Sequence, residues 1–465
     1  MKRRPANADF GSAQRGFTLT EVLVALAIAA VLMSALATIF ASTVTTRQQV
    51  LRDGQKIESA RFSLDTLSED IRLAGYWGNY TPAGRWSSVS WQPVTALEKV
   101  SGACSATALT TGWANLGTGT VRIPIPILGF EAHTGNTTQA LPTVVTDCLP
   151  NYLAGTDVLV IRRARTTAAT AGALTAAKSY LQVSSCSTEV GTNDLRVGLG
   201  TATFDLTRLG CAVSPVAPIW ELITRVYYVA SENESGDAIP TLKMIDLSAG
   251  STTAVTIAPG VVDFHLEYGL DVSGSPWTAS TAVAAGATRS ASCTWVYPVT
   301  SPVTPDFKTT CRFTSTAAGT TGTISPTLEP RTSVAGTTTV SDGAVTWRYS
   351  GLVDGSADAY AVSVADPARL LPDGATTTGS SLSSPWGGGS SWEDVVAVKL
   401  WVVVRDLEST TGYTNSKQYV LGSISIPAST INARAPSGSS AYRYKSSGAT
   451  VKVINSSGRR EDAIP

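Results

Sequence analysis

Residues 17–41, FTLTEVLVALAIAAVLMSALATIFA, hold a single charge, Glu21, in 25 positions. As a helix rising ~1.5 Å per residue the run spans ~37 Å, enough to cross the ~30 Å hydrocarbon layer of a bilayer. The leader before it, MKRRPANADFGSAQRG, carries Lys2, Arg3, Arg4 and Arg15 against Asp9. A positive flank of this kind keeps an N-terminus in the cytoplasm, so one crossing is expected, with everything after Ala41 on the far side. A secretory signal has a shorter apolar core, of ~7–15 residues, followed by a small-residue cleavage site. Here no such site follows cleanly, and the small residue, Gly16, stands immediately before the run.

A carboxylate inside a spanning helix costs ~2.5–3.5 kcal/mol, and such charges have partners. One partner is local: Thr18-x-x-Glu21 fits a capping box, with the carboxylate also favoured by the helix dipole. A plain signal anchor with a capped start has the same pattern. Beyond the run, Ile57, Ala60, Leu64, Leu67, Ile71 and Ala74 step by three and four along one apolar face, with Lys56, Arg61, Asp65, Glu69 and Arg72 on the others. Gly75 supplies a C-terminal cap. The two halves read as one helix of over ~50 residues, with Gly54 a weak point costing ~1 kcal/mol relative to alanine.

Gly16-Phe17-Thr18-Leu19-Thr20-Glu21 resembles the processing site of type IV pilins. That resemblance implies cutting by a prepilin peptidase after Gly16, N-methylation of Phe17 as the first mature residue, and Glu21 as the fifth. It also implies that Glu21 meets the N-terminal amine of a neighbouring subunit in a filament. The stretches IRLAGYWG (71–78), GTDVL (155–159) and the tryptophan-led strand 392–405 narrow the resemblance to PilW-type minor pilins.

Net charge is zero and charged residues are 15% of the chain, so nothing argues for a nucleic-acid partner. Two histidines, His133 and His265, no G-x-S-x-G elbow and no phosphate-binding glycine loop leave catalysis without a constellation. No cofactor is expected, and with no C-x-x-C spacing a metal site is not expected either. The six cysteines, Cys104, Cys148, Cys186, Cys211, Cys293 and Cys311, all follow the apolar run, and an even number in an exported chain reads as disulfides. Nearest-neighbour pairing (104–148, 186–211, 293–311) is one of fifteen connectivities; free buried thiols are the alternative.

After Gly75 the chain is rich in Gly, Ser and Thr, and reads as β-rich with long loops. The stretch 81–151 reads mainly as loops carrying little identifiable chemistry. Strands are expected at 155–163, 218–230 and 392–405, the last in a central, doubly covered position. In 261–269, Val262, Phe264, Leu266 and Tyr268 alternate with Asp263, His265 and Glu267, which puts His265 on a wet face. Residues 277–351 read as a separate β-module with a hairpin turning at Asp342-Gly343. Its G-x-x-V-x-D-G-x-V-x-W pattern, from Gly336 with one extra residue, resembles modules inserted into phage tail and other surface proteins. Trp277, Trp295, Tyr297, Trp347 and Tyr349 are read as its core, with a sugar- or surface-binding patch as the alternative.

The expected fold is α+β: a long N-terminal pilin helix, transmembrane then amphipathic, packed on a large antiparallel β-rich head with an inserted small β-module. The expected domains are leader 1–16, transmembrane half 17–41, amphipathic half 42–75, head 76–276 with 352–465, and module 277–351. The family resemblance implies a minor pilin that initiates the type IV pilus with other minor pilins and sits at its tip. Its partners would be the other minor pilins, the major pilin, the prepilin peptidase and, before assembly, inner-membrane lipid. The head would lie in the periplasm first and on a surface pilus afterwards. Alternatives are a J-type minor pseudopilin of type II secretion and a membrane-anchored adhesin or carbohydrate-binding protein that never polymerises.

Overall fold

The computed structural model describes residues 17–80, 114–115, 121–122, 126–134, 137–138, 140–141, 146, 149–189, 195–249, 253–270, 275–295, 307–323, 339–352, 359–361, 381–383, 389–391 and 395–455. Gly16, Cys104 and Cys148 lie outside them. The chain divides into two compact units, Met1–Gln55 and Lys56–Pro465. Helix α1, Leu19–Leu73, begins in the first and ends in the second.

In the first unit the helix is apolar and exposed, and it is long and apolar enough to cross a membrane. Its hydroxyls are satisfied locally: Ser34, Thr38, Ser42 and Thr46 each donate to a backbone carbonyl one turn back, at 2.7–2.8 Å. They therefore need no partner from hydrocarbon surroundings, where an unsatisfied polar group is costly.

In the second unit the rear of α1 buries Lys56, Ala60, Ser63, Leu67, Asp70 and Ile71. The expected apolar face is buried at Ala60, Leu67, Ile71 and Ala74, and only its first turn is corrected, because Lys56 is inside and Ile57 is 48% exposed. Charge pairing joins the apolar contacts. Lys56 Nζ lies 3.0 Å from Asp406, and Asp70 accepts from Arg163 (3.0 Å), Arg225 (2.8 Å) and the Tyr227 hydroxyl. Gly75 follows the helix at φ 72°, the left-handed C-terminal position that favours glycine, and its N–H donates to Arg162 O at 3.0 Å.

Two antiparallel sheets form the head. The first has seven strands: β1 Ile127–Phe130, β2 Val158–Ala164, β3 Ser179–Val183, β4 Leu195–Leu199, β5 Ile219–Ala230, β6 Thr241–Asp246 and β7 Ala254–Pro259. Its order is β7-β6-β5-β2-β1, with β3 paired to β4 and to β5. The second is β9-β8-β10-β11, from β8 Val261–Leu270, β9 Ala359–Ala361, β10 Val395–Arg405 and β11 Tyr444–Lys452. The central position expected for the tryptophan-led strand is the one β10 occupies. One core joins both sheets and the helix, drawing Leu67 and Ile71 from α1, Leu159 and Ile161 from β2, Tyr227 from β5, Phe264 and Leu266 from β8, and Leu400 and Val402 from β10.

The other face of the second sheet is covered as well. A hairpin of strands Tyr419–Leu421 and Ile424–Ile426, followed by the short helix Ala428–Ala433, packs Leu421, Ile424, Ile426 and Ile431 against Val262 and Val403. Ser423 N donates to Glu267 Oε1 at 2.6 Å. The face of β8 that alternation marks as wet is therefore buried, with Asp263 and His265 0% exposed and Glu267 5%.

Strands at Ser275–Pro276, Thr288–Trp295, Phe307–Ser315, Val345–Leu352 and Thr339–Asp342 form a separate five-stranded sheet with its own core of Val283, Ala291, Cys311, Phe313, Val345 and Trp347. Asp342 organises it, accepting from Trp277 Nε1 (2.7 Å), Trp347 Nε1 (2.9 Å) and Gly322 N (2.7 Å). Asp342 pairs with Val345, so the hairpin loop is Gly343-Ala344 rather than Asp-Gly. Gly343 takes φ 62° in the first loop position, where a type II′ turn places glycine. Cys186 and Cys211 form the expected disulfide. Cys311 is also disulfide-bonded, and Cys293 stands on the adjacent strand, two positions from the residue opposite it.

Candidate functional site

Two sites stand out, one at the start of α1 and one in the head. At the first, Thr18 N donates to Glu21 Oε2 at 3.0 Å, Thr18 Oγ1 donates to the same oxygen at 3.0 Å, and Glu21 N donates to Thr18 Oγ1 at 3.3 Å. This reciprocal capping box satisfies early N–H groups that the helix itself cannot. Phe17, 87% exposed, precedes it. Glu21 is thus held by a local cap while the apolar residues after it remain uncovered.

The second site is built where the two sheets meet. In the β1–β2 pair Phe130 stands opposite Val158, so Glu131, just after β1, and Asp157, just before β2, leave the ladder at the same end. The chain after Glu131 brings in His133, and β8 contributes Asp263 and His265. Asp157 is the node. Its N–H donates to Phe264 O, its Oδ1 accepts Ala132 N (2.9 Å), and its Oδ2 accepts Leu266 N (3.1 Å). The same two oxygens face His133 Nδ1 at 3.0 Å and His265 Nδ1 at 2.9 Å. Glu131 Oε1 lies 3.4 Å and 3.5 Å from those nitrogens. Asp263 lies 3.6 Å from His133 Nε2 and pairs with Arg434, whose guanidinium also donates to Val262 O and Gly155 O.

All six charged or ionisable side chains are buried, so their charges must balance internally. Burial disfavours a charged imidazole, yet the carboxylates of Asp263 and Asp157 outweigh it and lift His133 to about 12. His265 is lifted against its burial to about 10, chiefly by Asp157 and then by Glu131. Asp157 is held below the usual carboxylate range despite burial, by the two imidazoles, and Asp263 likewise by Arg434 and His133. Glu131 moves up through burial and the nearby Asp157 charge.

This site overturns two expectations. His265 is not a surface residue, because the wet face of β8 is roofed by the 419–433 excursion. The 81–151 stretch, read as chemically silent, supplies Glu131 and His133. Of the cluster, only the turn carrying Asp157 is marked in the sequence, by its Gly155-Thr156-Asp157 entry into a strand. Nothing local marks His133 and His265 as neighbours; they approach to 5.4 Å between ring centroids only through the strand pairing.

Residues 11–37 match the family model described as the prokaryotic N-terminal methylation motif. Residues 365–455 match that of type IV pilus-assembly protein W, a stretch containing β10, the 419–433 cover, Arg434 and β11. No curated protein and no solved structure matches the chain. The methylation motif and the exposed apolar helix that carries it support a membrane-anchored pilin. With the second match the chain is placed further: the two support a type IV pilus minor pilin of the PilW type. Pilins of these families are structural components of pili, not enzymes.

Proposed function

We propose that the chain is cut by a prepilin peptidase after Gly16, methylated at Phe17, and built with other minor pilins into a complex that initiates the type IV pilus and sits at its tip. The observation that supports this reading is the methylation motif running into an exposed apolar stretch, 17–41, whose only acid, Glu21, is satisfied by a short-range cap. Cutting before Phe17 creates a free amine four residues before that carboxylate. Packing helices side by side brings the amine of one subunit to Glu21 of another, and the pair neutralises a charge that lipid disfavours. The head supplies specific contacts to neighbouring minor pilins and to the major pilin, in the periplasm before assembly and on the cell surface afterwards. Residues 277–351 form a module inserted into that head.

Replacing Glu21 by Ala tests the reading. Membrane insertion and cleavage should persist, while recovery of the protein with sheared pili should fall at least tenfold. Wild-type recovery of the variant in pili would remove the proposed role of Glu21.

A further inference from the structure

We infer that Glu131, His133, Asp157 and His265 form a closed structural site for one divalent transition metal ion, with Zn2+ the best match. The inference stands on the head alone and does not depend on how the helix assembles. Both histidines turn the same nitrogen, Nδ1, toward the same pair of carboxylates, and the four donor atoms all lie within 4.8 Å of one another. A metal with bonds of ~2.1 Å holds neighbouring ligands roughly 3.0–3.4 Å apart, the smaller value for higher coordination numbers. The four histidine-to-carboxylate separations run from 2.9 to 3.5 Å, and the remaining donor pairs lie within 4.8 Å.

Donor chemistry selects the ion. Two imidazoles with two carboxylates suit Zn2+ and its first-row neighbours, whereas Ca2+ and Mg2+ favour all-oxygen shells. Charge agrees once the ion displaces the protons of the two imidazoles: Arg434 is paired with Asp263, so Glu131 and Asp157 with two neutral imidazoles present two negative charges to a divalent cation. The surroundings also orient the ligands. Each Asp157 oxygen already takes one backbone N–H, Glu131 Oε1 accepts His133 N at 3.1 Å, and His133 Nε2 faces Asp263 at 3.6 Å. A carboxylate behind a histidine ligand in this way fixes the ring and strengthens metal binding. His265 Nε2, fully buried, has no hydrogen-bond partner, and the ring makes its polar contacts through Nδ1. With every donor buried, the site is of the closed kind that supports folding rather than catalysis.

The test uses the full chain without a histidine tag, purified in detergent, stripped with a chelator and titrated with Zn2+ alone. Elemental analysis after gel filtration should find one Zn2+ per chain, the melting temperature should rise with Zn2+ concentration, and Co2+ in its place should give visible ligand-field bands. In the double variant His133→Gln/His265→Gln, affinity should fall at least 100-fold. Asp263→Asn, which keeps all four ligands, should weaken binding ~10–100-fold as an orienting residue does. If the double variant fails to fold, Asp263→Asn and the Co2+ spectrum of the wild type decide. Absence of stoichiometric Zn2+ from the wild type, retention in the double variant, unchanged affinity in a folded Asp263→Asn protein, or preference for Ca2+ or Mg2+ would each overturn the assignment and leave a purely ionic network.

Discussion

Asp70 carries the electrostatic anchor of the helix in the head, and Asp70→Asn removes its charge with almost no change of shape. The wild-type carboxylate accepts from Arg163 Nε and Nη2 at 3.1 and 3.0 Å, from Arg225 Nη1 at 2.8 Å, and from the Tyr227 hydroxyl. The side chains of Asp70 and Arg163 are only 3% and 10% exposed, while Arg225, 25% exposed, also has Asp246 at 3.6 Å. Breaking a buried ion pair from one side costs ~3–5 kcal/mol because a charge is stranded. The partial exposure of Arg225 points to the lower end, about 3 kcal/mol, a large fraction of the ~5–15 kcal/mol that holds a typical domain together. Adding Arg163→Gln to the variant should recover part of the loss by removing the stranded charge. The pH dependence has a definite sign. Burial opposes ionisation of Asp70, but the Tyr227 hydrogen bond and the two guanidinium groups outweigh it and hold its pKa below the ordinary value. Its contribution is therefore complete above the unfolded pKa of ~3.9 and fades as pH falls through the folded value. Urea unfolding at neutral pH and at successively lower pH measures both effects. A difference under ~1 kcal/mol at neutral pH, or one that grows in acid, would refute the reasoning.

Three further substitutions probe other parts of the structure. Gly129→Ala would place its Cβ 1.5 Å from the Tyr268 hydroxyl, which cannot be relieved without moving a buried ring, so thermal unfolding should report a loss of about 3 kcal/mol or more, partly restored by Tyr268→Phe. Replacing Cys186 and Cys211 together by Ser releases a cross-link between residues 25 apart and should lower stability by about 3 kcal/mol in denaturant titrations, with an equal loss on reduction of the wild type at that bond. Gly54→Ala meets nothing within 4 Å and should raise helix stability by roughly 0.5–1 kcal/mol, seen as slower amide exchange around residue 54.

Hydrophobic patterning made the long elements legible. The apolar run with its amphipathic continuation is α1, the strand begun by Gly-Thr-Asp is β2, and the Val-rich strand after Trp392 is the central β10. Patterning misled where polar residues are buried in pairs. Lys56 and Asp70 turn the rear of the helix inward because Asp406, Arg163 and Arg225 await them from sequence positions nearly a hundred or more residues away. Alternation in β8 separated Phe264, Leu266 and Tyr268 from Asp263, His265 and Glu267, but a bulge after Val261 turns Val262 to the covered side, and calling that side wet assumed that nothing covers it. The cover comes from residues 419–433, and the partners of His265 come from Glu131, His133 and Asp157. Such a cluster exists only once strand pairing has closed long loops. The cap at Thr18 and Glu21, by contrast, is a local motif and was readable directly.

Mass spectrometry of the N-terminal peptide, from protein recovered with sheared pili, tests the central claim most directly. The account predicts a peptide beginning at Phe17 and carrying one methyl group on its amine. A chain that still begins at Met1, or one found only in the membrane fraction and never with pili, would contradict it.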